Sequence, residues 1–519
     1  MIKELKLENF KAFGSVDTIK LAPITLIYGP NSGGKSSIIQ SLILLKQSFS
    51  DKTLQTTKLI PRGDFVDLGT FKSIIHGHNT KAKLRIGVKY SRDLPNPERM
   101  NAILPNDADR SVEMIFQSAR ERGSGRQTSS QLDTITYGLQ SSESTIGFDI
   151  KLGRALKPPR SVKSGQTNGS EADIFSWSSV QSAENFLKFA IERRRLNASK
   201  FLQTRLGLGN IENAPLYSRA LEKVSSSFIV GDGQLPRTIV SEDGEGIRYS
   251  TAGGLIGPSS GTLDYLSREF VGILTSISYL GPLRSHPARH YVRQGGTIQT
   301  VGTQGENTPQ VIASQEKQIK SRINNWFERF GIPYKLTPRH FGNETSGEIV
   351  SINLTDVRTK LEFSPSDVGF GIGQLLPIIV EGLVSQQRTI CVEQPEIHLH
   401  PRLQGHLADY FVDTTIGEGA EKISKKGYGN QWIVETHSEA LMLRLQRRIR
   451  EGKLSPDAVS VIYVNPVQKS MGSEILHLRL DNDGEFIDEW PDGFFEETYR
   501  EIFPRIPTEA TTEKLTQID

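Results

Sequence analysis

The stretch YGPNSGGKSSI at 28–38 constrains this chain more than any other. Gly29 is followed by four residues and then by Gly34, Lys35 and Ser36, which matches the G-x-x-x-x-G-K-[ST] pattern of a phosphate-binding loop. Glycines at this spacing let backbone N–H groups close around phosphate oxygens, and the helix that follows offers its positive end. Lys35 is placed to reach the β- and γ-phosphates, and the Ser36 hydroxyl to ligate Mg²⁺. The context agrees: the apolar strand ITLIY comes before the loop, and IIQSLILLKQ, apolar nearly all round, predicts a buried helix from Ser36 to about Gln47. A Gly-rich turn with an incidental lysine is the bland alternative.

Such a loop implies an α/β fold and a partner strand that brings an acid to the metal. TICVE at 389–393 supplies Glu393, although a surface acid at an ordinary strand end would look the same. Chains that hydrolyse nucleotides often place two acids here, and the second position holds Gln394. Glutamine can orient a water but cannot accept its proton, so slow hydrolysis is expected, with Glu396 or a partner-supplied group as substitute base. In SPSDVGFGIGQLLPIIVEG at 364–382, Gly369, Gly371 and Gly373 lead into an apolar helix whose proline, Pro377, is expected near the first turn. This is either a second anion cradle or a flexible loop entering a core helix. Two cradles that each cap their own helix cannot easily share one phosphate within a single chain, so the second would serve better on a neighbouring copy. NQWIVETHSEALM at 430–442 sets His437 just past another apolar strand, where it can bond a γ-phosphate, the attacking water or only local backbone.

At 519 residues the chain has room for two to four domains. Residues 2–27 read as an antiparallel pair, IKELKLENF and TIKLAPITLIY, around a turn near Gly14. Residues 91–270 change character: SARERGSGRQTSSQ and PPRSVKSGQTNGSE look like mobile loops, and AENFLKFAIERRRLNASKFLQTRL has helical periodicity with a basic face. Strand-like SISYLGPL, IVSINLTDV, RTICVEQ, NQWIVETHS and AVSVIYVNP then return. The expected organisation is one α/β core, 1–90 and 271–519, interrupted by a mainly helical subdomain at 91–270. A net charge of +3 advertises no nucleic-acid surface, so any such surface is local: Arg284, Arg289, His290 and Arg293 with Tyr291, or Arg193, Arg194 and Arg195. Solvated faces are the ordinary explanation for both clusters. The single Cys391 leaves no internal disulfide framework or multi-cysteine zinc site and fits a reducing cytoplasm. MIKELKLENFKAF is unlike a secretory signal, and no run is as long as a membrane span. His398 and His400 lack an obvious third metal ligand, and Asp481, Asp483 and Glu485 read as a tight turn.

ENFKAF, the phosphate loop, an inserted region, the Gly-rich segment, EQPEIHLHP and ETHS, in that order, resemble the ABC-type ATPases of the RecF, SMC and OLD (overcoming lysogenization defect) group. SYLGPLR at 278–284, VGTQGENT at 301–308, the EQPE strand end and LDNDGEFIDEWPDGFFEE at 480–497 look like a bacterial family that includes ATPase subunits of Septu-type and retron-linked anti-phage defence systems. The resemblance covers about 1–90 and 270–500 and implies a P-loop NTPase of ABC-ATPase head type that uses ATP and Mg²⁺. It makes Gly29, Gly33, Gly34, Lys35 and Ser36 the phosphate loop, with Asn31, Ser32 and Ser37 lining the same cradle, and Glu393 the magnesium-side acid. Ser366, Gly369 and Gly371 become the signature that meets another copy's γ-phosphate, and His437 the switch histidine. It further implies a homodimer closed on two ATP molecules, assembly beyond the dimer, a separate HNH-type nuclease effector, and contact with DNA or RNA. The chain departs from the pattern at Gln394, and no glutamine-loop residue can be placed. OLD-type nucleases carry a Toprim domain after the core, whereas 82 residues follow His437 here and no HNH-like constellation stands out. The expected role is therefore sensor or regulator of a defence nuclease, with a DNA-repair or chromosome-maintenance clamp as the alternative. An importer ATPase fits poorly with the large insertion.

Overall fold

The computed structural model describes residues 1–15, 17–49, 58–91, 108–120, 128–140, 147–154, 173–177, 226–230, 238–241, 256–292, 298–343, 347–416, 429–467 and 472–491. Its strands are β1 (Ile2–Glu8), β2 (Asp17–Lys20), β3 (Ile24–Tyr28), β4 (Leu84–Tyr90), β5 (Asp109–Arg120), β6 (Thr128–Gln140), β7 (Gly147–Arg154), β8 (Asp173–Trp177), β9 (Ser226–Val230), β10 (Thr238–Ser241), β11 (Ser278–Leu280), β12 (Tyr291–Val292), β13 (Tyr334–Asn343), β14 (Gly347–Asp356), β15 (Glu362–Phe363), β16 (Thr389–Glu393), β17 (Gln431–Glu435), β18 (Val459–Val467) and β19 (Gly472–Leu478). The helices are α1 (Lys35–Phe49), α2 (Phe71–Ile74), α3 (Ile256–Thr275), α4 (Thr308–Ser314), α5 (Glu316–Phe330), α6 (Phe370–Val384), α7 (Pro401–Ile416) and α8 (Glu439–Arg450).

Five parallel strands and one antiparallel edge strand form the central sheet, in the order β11-β16-β17-β3-β18-β19. β3, β16 and β17 are buried from end to end, so they read as near-continuous apolar runs. Alternation along each strand divides those residues between two cores. Ile27, Cys391, Ile433, Ile462 and Val464 face one, and Leu26, Val392, Val434, Val461 and Tyr463 the other. Helix α1 lies in the first core, with Ile38, Ile39, Leu42, Ile43, Leu44 and Leu45 fully buried. That is why its sequence is apolar all round, and each such side chain contributes roughly 1.5–3 kcal/mol of burial. The second core lies under α5, α6 and α7 and the small sheet β12-β14-β13.

The first core is closed by a nine-stranded antiparallel sheet, β10-β9-β8-β7-β6-β5-β4-β1-β2, and here two expectations are corrected. TIKLAPITLIY is not one strand. Its first part pairs with β1, Leu5 opposite Ile19, whereas ITLIY crosses into the central sheet because all five of its residues are buried. The described part of 91–270 is largely strand rather than helix. β5 and β6 run for 12 and 13 residues, with Val112, Met114 and Phe116 buried opposite a strand that buries Leu132, Ile135 and Tyr137. SARERGSGRQTSSQ, expected to be a loop, contributes Ser118–Arg120 and Thr128–Gln131 to that hairpin. PPRSVKSGQTNGSE, the stretch 183–206 with helical periodicity, and Arg193, Arg194 and Arg195 lie outside the described residues.

One ion pair fastens this sheet to α3: Arg110 Nε lies 2.8 Å from Glu269 Oε2, with side-chain exposures of 1% and 8%. Removing one member strands a buried charge, so Glu269→Leu should destabilise the fold by about 3–5 kcal/mol, while Arg110→Met with Glu269→Leu should recover most of that. Urea unfolding of the three variants checks this; equal stabilities for the single and double variants would show that the pair is not desolvated. Among the described residues no helix is long and apolar enough to cross a membrane.

Candidate functional site

The loop between β3 and α1 is built around two glycines that no other residue can replace. Gly29 has φ 141°, and a Cβ there would lie 2.5 Å from the Val464 carbonyl oxygen. Gly34 has φ 99°, and its Cβ would fall 2.4 Å from that of Ala12. The loop is buttressed from β19, where Ser473 Oγ donates to the Gly33 carbonyl at 2.8 Å and Ser473 N donates to Ala12 O at 2.7 Å. Asn31 and Ser32 sit exposed at the tip, Ser32 with φ 63°, while Ser36 is half-buried and Ser37 buried. Lys35 is buried, and its Nζ donates to the carbonyls of Gly29 and Pro30, both at 2.9 Å. Burial lowers its pKa, and Glu435 and Glu396 oppose that.

Strand order decides which acid stands next to the loop. β17 lies between β3 and β16, so Glu435 pairs in register with Ile27 on one side and with Glu393 on the other. The expectation for ETHS rests on its histidine alone and leaves out Glu435. The signal was present, because QWIVE ends an all-apolar strand in glutamate as TICVE does. Burial raises the Glu435 pKa, while the facing Ser36 hydroxyl and Lys35 favour its ionised form. Its Oε2 is buried with no hydrogen-bond partner among the described residues. An orphaned carboxylate oxygen beside a hydroxyl suits a hard cation such as Mg²⁺, which takes one or two carboxylates and completes its shell with phosphates and water.

Glu393 is buried and its Oε1 accepts from the Tyr279 hydroxyl at 2.9 Å. Burial, and next Glu435, push its pKa up to about 7; Tyr279, Arg284 and Lys11 act the other way. Gln394 turns the chain at φ 45° and its N–H donates to the Glu435 carbonyl at 2.8 Å. Arg284 donates to the carbonyls of Glu393 and Gln394 at 2.8 and 3.1 Å. It is 4% exposed, and burial lowers its pKa to about 10, so it belongs to the interior and not to a basic surface cluster. Arg289 is bonded to Asp367 at 2.8 Å, and Arg293 lies outside the described residues. Both carboxylate oxygens of Glu396 are engaged, accepting from Thr436 Oγ1 at 2.8 Å and His437 N at 2.7 Å. Accepting a proton there means giving up one of those bonds. His437 is half-buried, and burial together with Lys35 lowers its pKa, which keeps the ring neutral.

With this geometry, residues 1–192 and 300–442 match the family described as AAA ATPase domain. The chain belongs to that ATPase family. Its α/β architecture, a largely parallel central sheet with the phosphate loop between β3 and α1, is that of a P-loop ATPase. Residues 454–503 of the ATPase also match a family described as protein of unknown function (DUF3696). No curated protein matches it. Similar solved structures include the SMC head domain from Thermotoga maritima, 13% identical with a TM-score of 0.33 over 92% of this chain and 99% of that one. An SmcHead bound to the C-winged helix domain of ScpA is 13% identical with a TM-score of 0.38, over 93% and 98%. An Smc head domain with an extended coiled coil bound to the C-terminal domain of ScpA derived from Pyrococcus furiosus is 12% identical with a TM-score of 0.38, over 92% and 96%.

The residues expected to form a signature belong to a different segment of the ATPase. Ser366 Oγ is 2.9 Å from Ser364 Oγ, Gly369 caps α6, and a Cβ on Gly371 would come 2.9 Å from the His398 carbonyl oxygen. Among the described residues none of the three hydrogen-bonds with 29–37. The structure thus gathers the phosphate loop, Glu435, Glu393, Glu396 and His437, and ties Ser366, Gly369 and Gly371 to that loop by no hydrogen bond among the described residues. Pro377 lies inside α6 rather than near its first turn, against Gly305, where a Cβ would be 2.6 Å from the proline ring. His400 Nδ1 accepts from Arg402 N at 3.2 Å at the start of α7, and among the described residues no group of three or more His, Cys, Asp or Glu could hold a metal unaided. Asp481 closes a turn, its Oδ1 accepting from Asp483 N and Glu485 N at 2.9 and 2.8 Å.

Proposed function

We propose that this chain is an ATP-binding, slowly hydrolysing ABC-type ATPase that works as a pair of copies and regulates a separate nuclease in anti-phage defence. The observation that carries the ATPase reading is the meeting of the phosphate loop with Glu435, Glu393 and His437 at one end of the central sheet. Backbone N–H groups of the loop would cradle the phosphates, and Lys35 would exchange its two carbonyl partners for phosphate oxygens. Ser36, Glu435 and Glu393 would hold Mg²⁺, which when bound screens the charge of the phosphates. His437, kept neutral, can donate to the γ-phosphate. Gln394 would orient the attacking water without taking its proton, which is the reason for slow turnover.

Pairing is supported by the position of the second cradle. Among the described residues Ser366, Gly369 and Gly371 make no hydrogen bond to their own phosphate loop, and the space around Gly369 is open, with nothing within 4 Å of a Cβ there. A second copy would bring that helix start to the nucleotide. The regulatory role and the HNH-type nuclease partner rest on the sequence resemblance. For DNA or RNA contact the cluster at 284–293 offers less free charge than expected, since Arg284 is buried and Arg289 is ion-paired.

Native mass measured with and without ATP tests the reading, with Lys35→Ala as control. The wild type should go from one copy to two and gain about 2.7 kcal/mol of stability at ~100 times the Kd, and the variant should do neither. A mass and melting temperature indifferent to ATP, or a variant that responds like the wild type, would remove the nucleotide reading. A pull-down that returns no nuclease would remove the regulatory part alone.

A further inference from the structure

An arginine that is almost wholly buried needs partners that justify its desolvation, and Arg284 finds them in the Pro282 carbonyl at 3.3 Å and in two consecutive carbonyls across the strand end. Its planar fork spans Glu393 O at 2.8 Å and Gln394 O at 3.1 Å, across a residue held at φ 45°. A non-glycine residue in that region is strained and persists where its surroundings fix it. Here the third restraint is the bond from Gln394 N to the Glu435 carbonyl. On its other side, the backbone of Arg284 meets Gln374 of α6: Arg284 N lies 3.4 Å from Gln374 Oε1, and Gln374 Nε2 lies 3.5 Å from Arg284 O. Gln374 is fully buried. The surrounding loop is tied down by Gly281 N donating to Thr303 O and Ser285 N to Gln304 O, both at 2.8 Å. A Cβ on Gly373 would lie 2.9 Å from the ring of Pro287, so α6 and this loop sit in direct contact.

We infer that Arg284 is a positioning residue that holds Gln394 against the attacking water and transmits the placement of α6, the helix headed by the signature glycines, to that glutamine. This rests on the ATPase reading above. It supplies the connection between signature helix and catalytic strand end for which the sequence offers no glutamine-loop residue. A lysine at 284 keeps the charge but cannot fork across two carbonyls. The lysine keeps the positive charge beside Glu393, so what it loses is the hold on the backbone at 393–394, and its effect should vanish once the Gln394 side chain is gone.

The experiment is a double-mutant cycle on ATP turnover and ATP binding in the full-length protein, with Arg284→Lys, Gln394→Ala and their combination. Arg284→Lys should leave the ATP Kd within ~3-fold and lower kcat by roughly 10- to 100-fold; in the Gln394→Ala background it should lower kcat by less than ~3-fold. Effects that multiply, or a Kd and melting temperature that worsen in step with kcat, would overturn the proposal in favour of a plain structural role. If Arg284→Lys does not fold, Gln374→Met replaces it in the same cycle and is judged by the same criterion. Wild-type protein that binds no ATP would count against the ATPase reading instead, which keeps the two failures distinct.

Discussion

Gln394→Glu should raise the rate of ATP hydrolysis by roughly a hundredfold, the lower end of what a positioned general base contributes. The backbone at 394 is already set by Arg284 and Glu435, and glutamate is no worse suited to φ 45° than glutamine, so the new carboxylate would stand where the amide stood. The lower end is expected because three raised carboxylates, Glu393, Glu396 and Glu435, already crowd this end of the sheet and would oppose ionisation of a fourth. Single-turnover phosphate release with enzyme in excess measures the change. A variant no faster than the wild type would mean that proton acceptance is not what limits the reaction.

Glu393→Gln should do two opposite things, abolishing turnover while making the nucleotide-free protein more stable at alkaline pH. The folded protein holds the Glu393 proton up to about 7 against an ordinary value of 4.5, so between those values it binds more protons than the unfolded chain. Stability then falls as pH rises through that window, and the penalty is complete above it, at most about 3 kcal/mol from the size of the shift. Glutamine carries no such penalty and can still accept from Tyr279. Urea unfolding should find the two proteins alike at pH 4 and the variant ahead at pH 8. A constant difference across that range would show that the carboxyl is not held protonated by its surroundings. The site thereby trades stability for chemistry, as functional sites commonly do.

What could be read from the sequence was whatever lives in one contiguous stretch. The phosphate loop, its flanking strand and helix, and the acid closing TICVE each carry their meaning locally, in glycine spacing and apolar runs. Glu435 was legible only in part, because its importance comes from lateral strand order, and no local pattern says that β17 rather than β16 lies beside β3. Arg284 misled for a related reason: its charge and its neighbours Arg289 and His290 look like a solvent-facing patch until the fold turns it onto two carbonyls. In the insertion, polar Ser and Arg runs hid the hairpin of β5 and β6, whose buried positions alternate with half-buried ones and give a weaker signal than an unbroken apolar run.

The phosphate-loop strand has neighbours that are made very late. β3 ends at residue 28, while β17 spans 431–435 and β18 spans 459–467, and the side chain of Gln431 stitches the start of the chain into place through Ile2 and Ala22. On a ribosome adding ~5–20 residues per second, an emerging ITLIY waits tens of seconds before either flank exists. During that wait it is an apolar segment with unpaired edges, the kind of surface that aggregates or recruits a chaperone. The nucleotide site is therefore among the last parts of the molecule to mature, and its motif is synthesised long before it can hold anything.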